Sequence, residues 1–178
     1  MREQKKNVIL TGFMGSGKTT TGISLSYKLQ CTLLDTDKMI EKQEGRSISE
    51  IFAAKGEDYF REKETELLGK LKRENCRQIY SVGGGTPLRE ENRRLLGELG
   101  TVVYLKVSPE TVYKRLKGDS TRPLLQGDDP MGKIKTLLAG REDLYLAAAD
   151  IVVCVDGKKP AQIAEEIVEA LRQKGEEA

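Results

Sequence analysis

The sequence contains no histidine. That excludes histidine general bases and histidine-ligated metals. Cysteine is scarce: Cys31, Cys76 and Cys154 lie far apart and show no metal-ligand spacing. Reduced, buried thiols of a cytosolic protein are the plain reading. A charge excess of one sign is missing as well, because 30 Lys and Arg stand against 28 Asp and Glu, for a net +2. So small an excess gives no case for nucleic acid or a membrane surface. Long apolar runs are also lacking. The basic start leads only into "NVIL" before Thr11 and Gly12 interrupt it, and no small-residue cleavage pattern follows. The stretch around Leu144 to Val155 is cut by Asp150 and is too short to span a bilayer. A cytoplasmic enzyme or switch is the expectation. The 178 residues suit one domain with a sizeable core.

Short β-rich runs alternate with amphipathic segments. The expected strands are Val8–Leu10, Thr32–Leu34, Gln78–Val82, Val102–Val107 and Ile151–Val155, apolar without strict alternation, as strands buried on both faces should be. Helices are expected over Lys18–Leu29, from a capping box at Ser47 and Glu50, over Glu57–Glu74, over Pro87–Leu99, after Ser108-Pro109, over Met131–Ala148 and over Pro160–Lys174. This alternation implies an α/β fold with a parallel sheet covered on both faces. Residues 118–130, "GDSTRPLLQGDDP", lack periodicity and read as a long functional loop.

The stretch "GFMGSGKT", residues 12–19, follows a strand and opens a helix, and it matches G-x-x-x-x-G-K-[ST]. In such a loop, backbone N–H groups of Gly15, Ser16, Gly17, Lys18, Thr19 and Thr20 cradle phosphate oxygens, aided by the positive end of the helix. Lys18 reaches the β- and γ-phosphates of a nucleotide and is expected to face solvent before it binds. The Thr19 hydroxyl is offered to Mg²⁺.

Ligands of open α/β sheets bind beyond the carboxyl ends of the strands. There the sequence places "DTD" (Asp35 to Asp37) and "GGG" (Gly83 to Gly85), with Arg122 in the long loop. "DTD" reads either as a strand end with a helix cap or as two carboxylates serving Mg·ATP and an acceptor hydroxyl. "GGG" reads as a loose turn or as a place of close approach. Arg61 and Glu64, three apart on one helix, form either a surface pair or part of an anion site, and Arg141 leaves the same choice. A carboxylate for an alcohol plus arginines for an anion suggest a small polyol acid as acceptor.

"GFMGSGKTT", "DTD", "FREKE", "SVGGG", "STRPLL" and "REDLY" occur in the order and approximate spacing of the shikimate kinases, and the chain resembles that family from Asn7 to about Leu171. The resemblance implies a three-layer α/β/α fold of the nucleoside monophosphate kinase type, with five parallel strands ordered 2-3-1-4-5. It implies one shikimate kinase domain over residues 1–178, with a substrate-binding segment at about 37–64 and a lid at about 118–130. The implied reaction is transfer from ATP to the 3-hydroxyl of shikimate, giving 3-phosphoshikimate and ADP, in chorismate and aromatic amino-acid synthesis.

By resemblance, Asp37 binds the acceptor hydroxyls and takes the proton, and Arg61 and Arg141 grip the carboxylate. Gly83, Gly84 and Gly85 meet the ring hydroxyls, while Phe52 and Phe60 pack on the ring. Glu64 orients Arg61, Thr19 and Asp35 belong to the Mg²⁺ shell, and Arg115 and Pro160 clamp adenine. Arg122 meets the transferring phosphoryl group. The resemblance also implies a monomer with small-molecule substrates. Two rivals stand beside it: a kinase for another small acceptor such as gluconate or a nucleoside monophosphate, and a nonenzymatic P-loop switch.

Overall fold

The computed structural model describes residues 7–73, 77–119 and 127–175. Five strands form one parallel sheet: β1 (Asn7–Thr11), β2 (Thr32–Asp35), β3 (Gln78–Ser81), β4 (Gly100–Lys106) and β5 (Ile151–Cys154), in the order β2-β3-β1-β4-β5. Seven α-helices are present among the described residues: α1 (Lys18–Leu29), α2 (Thr36–Glu44), α3 (Ile48–Leu71), α4 (Glu90–Leu99), α5 (Pro109–Leu116), α6 (Pro130–Ala148) and α7 (Pro160–Gln173). One apolar cluster joins the sheet to α1, α5, α6 and α7 through residues such as Leu25, Val112, Ile134 and Ile167. A second joins Ile9, Tyr80 and Val102 to α3 and α4 through Phe60, Leu68 and Leu96. The result is the three-layer α/β/α arrangement that alternating strands and helices call for.

Register decides where the chemistry sits. β1 pairs with β3 so that Leu10 lies beside Ser81, and β3 pairs with β2 so that Ser81 lies beside Asp35. The segments that follow these three residues therefore leave the sheet along one edge. They are the glycine loop, the turn into α2 and the Gly83–Gly85 turn.

Several local expectations need correction. α2 was read only as a possible cap. Asp35 does cap it, accepting a hydrogen bond from the Lys38 amide at 3.1 Å, and the helix runs on to Gly45 in the left-handed conformation. The expected helix Pro87–Leu99 begins as a 3-10 turn, Thr86–Leu88, breaks at the extended Arg89 and restarts as α4. The turn can stop there because side chains take its carbonyls: Asn92 Nδ2 donates to Thr86 O at 3.0 Å and Arg93 Nη1 to Pro87 O at 2.7 Å. Ser47 and Glu50 form the anticipated capping box, and the two anticipated helical segments meet at Gly56, whose φ of 82° and ψ of 168° break α3. β5 alternates buried and exposed residues, because it is an edge strand with one covered face. Cys154 is consequently exposed, not buried, and Cys31 is half-buried; Cys76 lies outside the described residues. Among those residues no helix is long and apolar enough to cross a membrane.

α1 lies close on the sheet at Gly22, where a Cβ would stand 2.8 Å from Leu33 Cδ1 and 3.3 Å from Leu10 Cδ1. Gly22→Ala sets a helix-propensity gain of about 1 kcal/mol against a shift of the flexible Leu33 tip, and should be near neutral. Gly22→Val adds two further methyls to a filled site and should cost about 1–3 kcal/mol. Urea denaturation of the two variants checks this; a Val variant as stable as the Ala variant would contradict the packing.

Candidate active site

The glycine loop bends where only glycine is comfortable: Gly15 and Gly17 have φ of 76° and 87°. Gly17 is the N-cap of α1 and supplies no side-chain cap. The first-turn amides of α1 are left without the side-chain acceptor that most helices provide, and this suits an anionic ligand. Lys18 does not face solvent as expected. It is half-buried, and its Nζ donates to Gly12 O at 2.7 Å and to Phe13 O at 3.3 Å, so the loop's own carbonyls hold it in place.

A cleft of about 510 Å³ runs from this loop to α3. It brings together most of the residues singled out in the sequence: Gly15, Gly17, Lys18, Thr19 and Thr20 at one end, then Asp35 and Asp37, then Phe52, Phe60, Arg61, Gly83, Gly84, Gly85 and Arg141. Ser16 lies beneath the loop, fully buried, with no partner for its hydroxyl. Arg115 and Pro160 do not line the cleft. Arg115 instead donates from Nη1 to Gly15 O at 2.8 Å, and Pro160 opens α7. Arg122 lies outside the described residues, as does most of the expected lid.

The far end of the cleft is built around Arg61, whose side chain is 14% exposed. Its Nη1 donates to Glu64 Oε2 at 2.7 Å, while Nε and Nη2 both reach Glu57 Oε1, at 3.2 and 2.9 Å. Glu64 is buried, at 2% exposure, so the Arg61–Glu64 pair is not the surface pair left open by the sequence. Burial works against the charge of Arg61, but Glu64 and Glu57 outweigh it and its pKa is raised. The other oxygen of Glu64 accepts from Thr86 Oγ1 at 2.5 Å, and the fully buried Asn92 accepts from Thr65 Oγ1 at 2.7 Å. Phe60 and Phe52 meet edge-to-face 5.3 Å apart beside the arginine.

The three glycines are a place of close approach. A Cβ on Gly83 would lie 2.6 Å from Asp37 Oδ1, and one on Gly85 would overlap the Arg61 guanidinium. Tyr145 ends the "REDLY" stretch but has no role among the expected site residues. Its hydroxyl donates to Gly84 O at 2.7 Å, and that stretch, with its place four residues after Arg141 on a helix, is the signal that points to it.

Asp37 has a buried oxygen, Oδ1, with no hydrogen-bond partner. Burial raises its pKa to about 6, and repulsion by Glu64 and Asp35 adds to that, against the pull of Lys18 and Arg61. Among the described residues no three His, Cys, Asp or Glu side chains cluster as a metal cage. The oxygen donors near the phosphate end are hard and few: the exposed Thr19 hydroxyl and Asp35, which also caps α2. That set fits Mg²⁺, which keeps most of its waters and leans on phosphates for the rest.

An uncapped helix start behind a glycine cradle, facing a half-buried carboxylate, defines a P-loop phosphotransferase site. The chain belongs to the shikimate kinase family: the family model described as shikimate kinase matches residues 14–172. It is 40% identical over 172 residues to a shikimate kinase of Symbiobacterium thermophilum, covering 96% of this chain and 98% of that one. It is 47% identical over 167 residues to the shikimate kinase of Moorella thermoacetica, covering 93% and 94%. Among solved structures it is similar to a shikimate kinase from Acinetobacter baumannii in complex with shikimate, with a TM-score of 0.88 and 34% identity over 97% of this chain and 96% of that one.

The state of Asp37 has a consequence for stability. Its folded pKa of about 6 exceeds the ordinary 3.8, so the folded protein binds this proton more tightly than the unfolded chain. Asp37 therefore costs stability as pH rises from about 4 to about 6, by roughly 2–3 kcal/mol once fully ionised. Asp37→Asn does not titrate, so denaturant midpoints should favour the variant increasingly across that window and level off above it. A stability difference independent of pH would overturn this reading.

Proposed function

We infer that the chain is a shikimate kinase, transferring the γ-phosphoryl group of ATP to the 3-hydroxyl of shikimate to give 3-phosphoshikimate and ADP in the route to chorismate and the aromatic amino acids. The observation that carries this reading is the Arg61–Glu64 pair beneath Gly85, facing Asp37 across the cleft from the glycine loop. It is a carboxylate grip and a base at the two ends expected of a hydroxy acid.

The glycine loop and the start of α1 hold the phosphates, with Lys18 turning from its loop carbonyls to the β- and γ-oxygens. Thr19 and Asp35 would hold Mg²⁺, which, when bound, neutralises phosphate charge and fixes the leaving oxygen. Arg61 and Arg141 orient the acceptor through its carboxylate, and Phe52 and Phe60 flank its ring. Asp37, poised near neutral pH, accepts the proton of the attacking hydroxyl. The Gly83–Gly85 amides meet the remaining hydroxyls. Arg115 and Pro160 border the adenine, and Arg122 keeps the role at the phosphoryl group that the resemblance gives it. The segment 37–64 is the acceptor-binding part of a single domain, and 118–130 the lid. As the resemblance implies, the protein acts as a monomer.

The test is an assay with ATP, Mg²⁺ and a panel of shikimate, gluconate and nucleoside monophosphates. Shikimate should be phosphorylated and the others turned over at least about 10³-fold less efficiently, because a site built on buried polar pairs rejects what leaves them unmatched. Transfer to another panel member, or ATP binding without transfer, would favour one of the rivals. Arg61→Ala should weaken shikimate binding by about 2–4 kcal/mol while sparing ATP, with Arg61→Lys rescuing only in part. Unchanged shikimate affinity in Arg61→Ala would move the carboxylate site elsewhere. Lys18→Met should lower kcat at least about tenfold with the fold intact.

A further inference from the structure

We propose that Tyr145 is a positioning residue for the acceptor: its phenol ties α6, the helix that carries Arg141, to the Gly83–Gly85 turn, so that the cation and the backbone amides receiving the acceptor are held in one geometry. The proposal deepens the kinase reading and rests on it.

Tyr145 is fully buried and lies one helical turn after Arg141, on the same face of α6. Its ring stacks on Tyr104 of β4, with centroids 5.1 Å apart and 28° between planes. Packing alone thus fixes the ring, and a phenylalanine would pack as well. The hydroxyl is what packing does not explain. It donates to Gly84 O at 2.7 Å. That bond joins α6 to the Gly83–Gly85 turn, two parts of the site remote in sequence. Burial raises its pKa, so it remains a donor.

The bond to Gly84 matters because of the peptide plane. In this turn the Gly83 and Gly85 carbonyls accept from the Thr86 and Leu88 amides, at 3.0 and 3.1 Å. The Gly84 carbonyl turns instead to the phenol. Across a planar trans peptide, the N–H of Gly85 points opposite to the carbonyl of Gly84. Glycine offers little resistance to rotation of that plane. The phenol therefore selects the direction of the Gly85 amide, and it anchors to that turn the helix from which Arg141 projects.

Tyr145→Phe tests this, with shikimate titrated calorimetrically and steady-state kinetics for both substrates. Shikimate Kd and KM should rise about tenfold, the loss of one buried hydrogen bond, while the ATP KM stays within about twofold and kcat changes less than the acceptor KM. In Arg141→Ala and the double variant the losses should fall short of multiplying, by about threefold or more, because both act on the acceptor through the same helix. Replacing the hydroxyl at 145 by an amine keeps a donor to Gly84, but a weaker one, and should give a smaller, several-fold loss. This second variant carries the test should Tyr145→Phe fail to fold. A purely structural role would lower Tm and leave the acceptor constants alone. Unchanged shikimate affinity in the phenylalanine or amine variant, equal losses for ATP and shikimate, or multiplying losses would each overturn the proposal. If wild type itself neither binds nor phosphorylates shikimate, the kinase reading falls and this one with it.

Discussion

Arg61 can lie where it does because Gly85 presents no side chain. From that missing methyl a chain of requirements follows. A guanidinium brought to 14% exposure must be matched by negative charge, and Glu64 supplies it from within the same helix. Glu64 is then itself buried and must be satisfied on its other oxygen, which Thr86 does from the turn that follows the glycines. Asn92 in turn satisfies the Thr86 carbonyl and accepts from Thr65, so that α3, the 3-10 turn and α4 are joined through polar groups. Removing one member of such a network leaves the next one desolvated and unpaired, which costs more than the bond itself is worth. The acceptor end is thus rigid because its charges are interdependent.

The parallel sheet and the glycine loop were legible because they rest on patterns that repeat locally, whereas the strand order and most of the cleft came with the family resemblance. Apolar runs separated by amphipathic ones specify a parallel sheet, and the glycine loop is legible because its backbone demands are spelled in residue types. α2 was missed because its polar sequence has little apolar stripe, and only the cap by Asp35 announces it. Pro87 sits in a 3-10 turn instead of an α-helix because carbonyl acceptors were taken by Asn92 and Arg93, contacts that no local pattern reveals. Lys18 was expected in solvent, since no sequence feature shows that Gly12 and Phe13 turn their carbonyls toward it. The burial of Glu64 and the place of Tyr145 depend on how α3 and α6 approach a turn between them, and that is a tertiary fact.

The two ends of the cleft are made of different material. At the glycine-loop end the polar groups are mostly main chain: amides of a glycine loop and of an uncapped helix, joined by one lysine. Any chain that can form the loop can form that end, which is why the loop by itself says nothing about the acceptor. At the other end the binding groups are side chains whose positions depend on buried partners. Arg61 depends on Glu64, Glu64 on Thr86, and the helix of Arg141 is held to Gly84 by Tyr145. Asp37 stands between the two ends with one buried oxygen unpaired. A paired carboxylate there would favour folding but, on the proposed reading, would make a poorer base, because each hydrogen bond to its charged form lowers its pKa. The apolar clusters on both faces of the sheet make that local cost tolerable, since a well-filled core can absorb a few kcal/mol placed at a site. On the proposed reading, discrimination among acceptors resides in the side-chain end, and so two chains can share this sheet and this loop and still phosphorylate different molecules.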